Sequence, residues 1–376
     1  MNAEHLPSIS LIVPTLREAA NLPALLCAVS CVRDEQALDL ELWVMDDDSR
    51  DGTIEAVREM GLSWVHLVVR TGRQGLSEAV VEGMLRAQNE VIVVMDADQS
   101  HSPAVIPSLV AAVAGGADFA IGSRYTPGGA VDPGWGMLRM LNSRVATLLA
   151  RPLTAARDPM SGFFAIERER VLAARERLDP VGYKIGLELI VKCRCTRIAE
   201  VPITFGRRQY GSSKLTLAEQ LRYLSHLRRL LIHHRPNLAT ATQFALVGAS
   251  GAVVNLAVAT LLAAIGAGDR AAIAGGIAAS VCSNFVQNRR FTFPWARSRP
   301  VVRQFAGFVA ASSAGMMVNY VVSAWARIAA GIPLLPALCV GIAAGMILNF
   351  VASRFLVFRK NGFKLGRGCT AQPHGR

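Results

Sequence analysis

From Ala241 onward the sequence nearly lacks acid: Asp269 is the one carboxylate against thirteen basic residues between Arg270 and Arg376. Residues 1–206 carry a net charge of −6, and seven bases from Arg207 to Arg235 face only Glu219. The formal +12 of the chain therefore sits in a collar and among apolar runs, which argues against a nucleic-acid surface. Aromatics are scarce at 6%, yet 52% of the 376 residues are hydrophobic, which excludes disorder and allows two or three domains. The seven cysteines form no CxxC pair and no Cys/His zinc spacing. A disulfide framework is excluded, and small buried thiols in a reducing compartment are expected. No Ser/His/Asp or Cys/His arrangement suggests a nucleophile. The first apolar run, Ile9 to Val13, is too short for a signal peptide, so the N-terminal part is expected in the cytosol.

Short runs rich in β-formers occur at Ser8–Pro14, Leu40–Met45, Trp64–Val69, Val91–Met95 and Ala117–Ile121. Helical stretches at Leu22–Ser30, Ile54–Glu59, Leu76–Asn89 and Ala104–Ala114 separate them. That alternation predicts an α/β domain on a parallel sheet, with ligands at the carboxyl ends of the strands.

Thr216 to Arg235 places leucines at helical spacing among arginines and histidines, the pattern of a basic amphipathic interface helix. Four apolar segments follow: Gln243–Ile265, Ala271–Val286, Gln304–Trp325 and Leu334–Phe350. The second is short for a hydrocarbon core of roughly 30 Å and is expected to borrow flanking residues. Arginines crowd the loop between the second and third segments and the tail, which predicts four transmembrane helices with both termini cytosolic. Asn284-Phe285-Val286 recurs 65 residues on as Asn349-Phe350-Val351, and Gln243-Phe244-Ala245 recurs as Gln304-Phe305-Ala306, with Asn255 and Asn319 further along. Two related hairpins are expected. The domain plan is 1–215, a cytosolic α/β domain; 216–236, the interface helix; 237–360, the membrane domain; and 361–376, a basic cytosolic tail.

The polar residues gather at predicted strand ends. Pro14 ends the first strand. The second runs into Asp46-Asp47-Asp48-Ser49-Arg50-Asp51-Gly52-Thr53, where adjacent carboxylates need a cation or hydrogen-bond donors beside them. The fourth runs into Asp96-Ala97-Asp98-Gln99-Ser100-His101, and carboxylates two apart can offer hard oxygens to Mg2+ or Mn2+, which in turn binds a diphosphate.

Taken in order, these motifs resemble family 2 glycosyltransferases of the GT-A fold (Rossmann-like, mostly parallel sheet), close to dolichyl- or polyprenyl-phosphate mannose synthases. Pro14/Thr15/Glu18, Asp46–Thr53, Arg70–Ser77, Asp96–His101, Gly122–Tyr125, Ser161–Phe163, Gly182–Lys184 and Arg208–Lys214 match the family pattern. The four-span part resembles GtrA-like membrane modules. Arg17 stands where the family usually has Asn, Ser77 where it has Gly, and Arg73 where it has Lys.

The resemblance implies a nucleotide-sugar site of Pro14, Leu16, Glu18, Asp46, Asp47, Asp96, Ala97, Lys184, Arg208 and Lys214. It implies a metal held by Asp96, Asp98 and Ser100, and an acceptor-phosphate site of Arg124, Arg139 and Ser143. Asp98, Arg124 and Arg208 would carry catalysis. His101 is a family feature whose simplest role is to structure its loop. The implied reaction moves mannose from GDP-mannose to a polyprenyl phosphate with inversion, in the plasma (inner) membrane. The attacking phosphate oxygen is already ionised at pH 7, so no general base is required. UDP-glucose transfer to undecaprenyl phosphate is the alternative, although relatives of that kind tend to have an acid where His101 stands. A further alternative is lipid-linked sugar binding or translocation by the membrane domain. The Gln-x-x-Arg-Trp motif of processive synthases is absent.

Overall fold

The computed structural model describes residues 6–72, 74–132, 134, 136–179, 182–206 and 217–359. They form two compact units, divided between His234 and Arg235.

In the first unit, β1 (Ile9–Thr15), α1 (Leu22–Glu35), β2 (Leu40–Asp46), α2 (Thr53–Glu59), β3 (Val65–Val69), α3 (Leu76–Arg86) and β4 (Val91–Val94) alternate, as the apolar runs predict. Then come α4 (Ile106–Ala114), β5 (Phe119–Ser123), β6 (Ala130–Val131), α5 (Met137–Ala150), β7 (Phe164–Glu167), α6 (Arg168–Ala174), α7 (Ile185–Lys192), β8 (Ile198–Pro202), β9 (Thr204–Phe205) and α8 (Leu217–His234). Seven strands form one sheet in the order β3-β2-β1-β4-β7-β5-β8, and β6 pairs with β9 separately. Only β7 runs antiparallel to its neighbours in the large sheet, so the sheet is mostly parallel.

Alternation along β1 builds both faces. Ile9, Leu11 and Val13 bury against Leu22, Leu25, Leu26 and Val29 of α1 and against α4. Ile12 points the other way, into a cluster with Val80 and Met84 of α3 and Ile185 and Leu189 of α7. Each such side chain contributes about 1.5–3 kcal/mol on burial. Strand order reverses at β1, flanked by β2 and β4, which opens a crevice at their carboxyl ends.

The helix predicted to lie at a membrane interface, α8, packs into the first unit. Leu227 and Leu230 are buried with Leu153, Met160, Leu187 and Val191, and Tyr223 Oη donates to the Ala146 carbonyl at 2.7 Å. His226 and Lys192 both hold the fully buried Glu188 of α7, at 3.2 and 2.7 Å.

The second unit consists of α9 (Pro236–Ala264), α10 (Asp269–Gln287), α11 (Val301–Ile328) and α12 (Leu334–Ala352). Three spans are long and apolar enough to cross a membrane: Pro236–Ala264, Val301–Ile328 and Leu334–Val357. The fourth, α10, is continuous, but its first turn holds Asp269 and Arg270 and it carries Ser280, Ser283, Asn284 and Gln287, which dilute its apolar character.

The sequence repeat is a structural one. Gly251 faces Asn284 and Gly276 faces Asn255 so closely that neither glycine has room for a Cβ. Gly315 against Asn349 and Gly341 against Asn319 reproduce both contacts in the second hairpin. These pairs set the offset of the first helices at 64 residues, so Phe244 corresponds to Phe308 and not to Phe305, the partner that the repeated Gln-Phe-Ala triplet suggests. Each hairpin ends in a π-turn, Asn288–Thr292 and Ser353–Val357, and the equivalent Phe293 and Phe358 stack at 4.8 Å.

The cysteines depart from expectation. All six described are free thiols, as predicted, but only Cys195 is buried, while Cys27, Cys31, Cys282 and Cys339 are exposed on helices. Burial pushes the Cys193 thiol up to about 11 and the Cys195 thiol up to about 12.

Candidate active site

Among the described residues six non-glycine residues have positive φ, and four of them, Arg17, Asp48, Arg50 and Gln99, lie in the turns at the carboxyl ends of β1, β2 and β4. Strained backbone concentrated at one sheet edge marks a place where side-chain direction outranks local comfort. At Arg17, with φ +62, the left-handed conformation gives a reason for the Asn usual there, since Asn tolerates it better.

The turn after β2 is closed on itself. Asp46 is fully buried and accepts from Thr15 Oγ1 at 3.0 Å and from both the Oγ and the N–H of Ser49. Asp47 is paired with the buried Arg70 guanidinium and accepts the Gly75 N–H at 2.8 Å, while Arg70 reaches Glu82 at 2.9 Å. Asp48 takes Arg50 at 2.6 Å, which holds its carboxyl below the usual range. Asp51 accepts from the N–H and Oγ1 of Thr53, the first residue of α2, and from the Ala19 N–H. Beside this turn, Pro14 is buried, Leu16 is exposed, and Glu18 accepts from Asn21 at 2.6 Å.

The turn after β4 faces different groups, and residues 95–101 are all buried or half-buried. Asp98 takes the N–H and hydroxyl of Ser100, whereas the Asp96 carboxylate is 30% exposed. Ala97 is buried between them. His101 is buried, 5.1 Å from the rings of both Phe163 and Phe205, with Nε2 3.4 Å from Asp96. It structures the loop and also touches a carboxylate of the site. No cluster of three His, Cys, Asp or Glu suited to a metal occurs among the described residues. Two carboxylates and a hydroxyl still fit a hard cation that completes its shell with water and phosphate oxygens.

Cations lie alongside. Asp158, fully buried, takes Nε and Nη2 of Arg124 at 2.7 Å each. Burial opposes the Arg124 charge, but the hydrogen bond and charge of Asp158, then Tyr125 and Asp96, hold its pKa above the ordinary value. Tyr125 Oη donates to Ser143 Oγ at 2.8 Å. Lys184 Nζ donates to the Met160 carbonyl at 3.3 Å. Burial and then the Arg124 charge push Lys184 down to about 8, with Asp96 and Asp158 opposing and Arg139 adding to the fall. Asp96, Arg124, Arg139, Asp158 and Lys184 therefore share one electrostatic neighbourhood. Ser77 is accommodated: it is fully buried and its hydroxyl donates to the Gly182 carbonyl at 2.7 Å, beside Lys184 in sequence. Arg208, Lys214 and Arg73 lie outside the described residues.

Sequence reasoning missed Asp158 and assigned no role to Arg70 or Tyr125. Asp158 stands three residues before the Ser-Gly-Phe turn, but its pairing with Arg124 becomes visible only once the fold buries that arginine.

A mostly parallel sheet with an acidic turn and a cationic cluster at its carboxyl edge, on a chain that continues into apolar helices, defines a membrane-bound glycosyltransferase of the GT-A type. Comparison narrows the class. Residues 10–172 match the glycosyl transferase family 2 model, and residues 243–358 match the GtrA/DPMS transmembrane domain. A dolichol-phosphate mannosyltransferase of Pyrococcus furiosus is 36% identical over 93% of this chain and 99% of its own length. Enzymes of that name from Mycosarcoma maydis and Saccharomyces cerevisiae are 42% and 39% identical over 59% of this chain, covering 78% and 86% of their own. The chain belongs to glycosyl transferase family 2, in the group that carries a GtrA/DPMS transmembrane domain, and is an integral membrane protein.

Proposed function

We propose that the protein transfers mannose from GDP-mannose to a polyprenyl phosphate, with inversion at the anomeric carbon. One observation carries the acceptor assignment. Helix α5 bears Arg139 and Ser143, and the same helix leaves Met137, Leu141, Val145, Leu148 and Leu149 exposed. A helix that joins phosphate-binding groups to an apolar stripe suits an acceptor with an ionised head and a hydrocarbon tail. Leu221, Leu224 and Ile232 of α8 are exposed as well, and the docking role read from its sequence remains part of this proposal. The basic loop after α10 and the tail orient the protein by attraction to anionic lipid, with both termini cytosolic in the inner membrane.

Asp96, Asp98 and Ser100 would hold Mg2+ or Mn2+, which when bound neutralises charge on the leaving diphosphate. Pro14, Leu16 and Glu18 border the nucleoside, with Asp47 keeping that wall in shape through Arg70 and Gly75. Lys184, with Arg208 and Lys214, supplies positive charge to the diphosphate. Arg124, Arg139 and Ser143 orient the acceptor phosphate, whose oxygen is the nucleophile. Catalysis rests on positioning and on electrostatic stabilisation of the departing diphosphate.

The deciding experiment incubates purified protein and a polyprenyl phosphate with labelled GDP-mannose, UDP-glucose or UDP-N-acetylglucosamine, then extracts lipid. Label in lipid from GDP-mannose alone is expected. Label from UDP-glucose instead would overturn the donor assignment.

A further inference from the structure

The segment between α5 and β7 meets a different charged group of the site at every second residue. Asp158 grips the Arg124 guanidinium through two 2.7 Å bonds and accepts the Arg124 backbone N–H at 3.0 Å. The Met160 carbonyl accepts from Lys184 at 3.3 Å. Gly162 lies against Asp96, so that a Cβ there would stand 2.9 and 3.2 Å from the two carboxylate oxygens. The segment is itself anchored. The N–H groups of Arg157 and Asp158 donate to Glu200 of β8 at 2.9 and 3.1 Å, and the carbonyl of the buried Phe163 accepts the Gly122 N–H at 2.9 Å.

We propose that residues 158–162 are a positioning strap that fixes the acceptor-phosphate arginine relative to the metal-side carboxylate, with Asp158 and Gly162 as positioning residues. The inference rests on the mannosyl-transfer reading. Attack by one ionised phosphate in line with departure of another depends on spacing, and a displacement of about 1 Å can cost on the order of 100-fold in rate. A bidentate carboxylate fixes the plane of a guanidinium, hence the direction of its remaining N–H donors, which a flexible arginine alone does not. Gly162 acts on the other subsite, because the space it leaves is taken by Asp96.

If Asp158 only neutralised a buried cation, its loss would degrade both subsites together. If the strap positions each subsite separately, the effects separate. The full chain, in detergent or lipid discs, is compared as wild type, Asp158→Asn and Gly162→Ala. KM is measured for each substrate, and Mn2+ binding in the presence of GDP is followed by electron paramagnetic resonance. Asp158→Asn is expected to raise the polyprenyl-phosphate KM about tenfold and to leave Mn2+ binding within about twofold. Gly162→Ala is expected to weaken Mn2+ binding about tenfold and to leave the acceptor KM within about twofold. Should Asp158→Asn fail to fold, Asp158→Glu keeps the charge, displaces the guanidinium and carries the same expectation. Parallel shifts of both quantities in each variant, or no shift in either, would overturn the strap. Wild type that transfers no mannose would instead overturn the reading on which it rests.

Discussion

The two acidic turns of the first unit start from similar material and end differently. After β2, the carboxylates Asp46, Asp47, Asp48 and Asp51 are each met by protein donors from Thr15, Ser49, Arg70, Gly75, Arg50 and Thr53. After β4, Asp98 is buried and takes the N–H and hydroxyl of Ser100, and Asp96 stays 30% exposed beside a histidine, a glycine and the charges of Arg124 and Lys184. A carboxylate supplied with donors by its own fold shapes a wall, whereas one left facing solvent beside cations can take a ligand. Counting aspartates does not distinguish the turns, but the groups that face Asp47 and Asp96 do.

The largest expected effect lies in the turn after β4. Asp98→Ala should reduce transfer by about 1,000-fold or more, with membrane insertion intact, as sugar transfer into extracted lipid and carbonate-resistant membrane association would show. The closed turn should respond the other way round. Asp47→Ala removes a buried carboxylate from the buried Arg70 and should cost roughly 3 kcal/mol of stability, read as a lowered unfolding midpoint. If Asp47→Ala left stability untouched, the contrast between the turns would fail.

Lysine 184 offers a pH test. Its pKa is lowered from 10.5 to about 8, by burial first and by Arg124 next, so it is charged below about pH 8 and loses its charge above. Affinity for GDP should therefore fall as pH rises through about 8, and Lys184→Arg should remove that fall, as titration calorimetry across the range would reveal. The stability sign is opposite. The fold favours neutral Lys184, so the cost of its charge is full below pH 8 and disappears between 8 and 10.5. Lys184→Met should accordingly raise thermal stability at pH 7. The smallest effect belongs to Arg17: Arg17→Asn should stabilise by roughly 0.5 kcal/mol, because Asn tolerates a φ of +62 better.

Much of the fold was legible because period-two apolar runs and their Pro, Gly and Asp boundaries are local signals. The predicted strands Leu40–Met45 and Val91–Met95 differ from β2 and β4 by one residue at an end. The direction of β7 was not legible, since nothing in Phe-Ala-Ile-Glu encodes whether a strand runs with or against its neighbours. The repeat of the membrane unit was visible in Asn-Phe-Val, but its register in α9 and α11 depended on Gly–Asn crossings between helices. The carboxylate turns could be found from sequence, whereas Asp158 could not be linked to Arg124 across 34 residues without the fold. The packing of helix α8 was hidden for a related reason: leucines at helical spacing face a membrane or a protein equally well, and only the fold shows α7 supplying the buried Glu188 that takes His226.

The measurement that bears most directly on the turn after β4 as the reaction centre pairs two readouts on Asp98→Ala. These are label transferred from GDP-mannose into polyprenyl lipid, and the thermal unfolding of the same sample. The account predicts a single cooperative unfolding transition, as in wild type, and labelled lipid lower by about 1,000-fold or more. Labelled lipid at the wild-type rate from Asp98→Ala would contradict it.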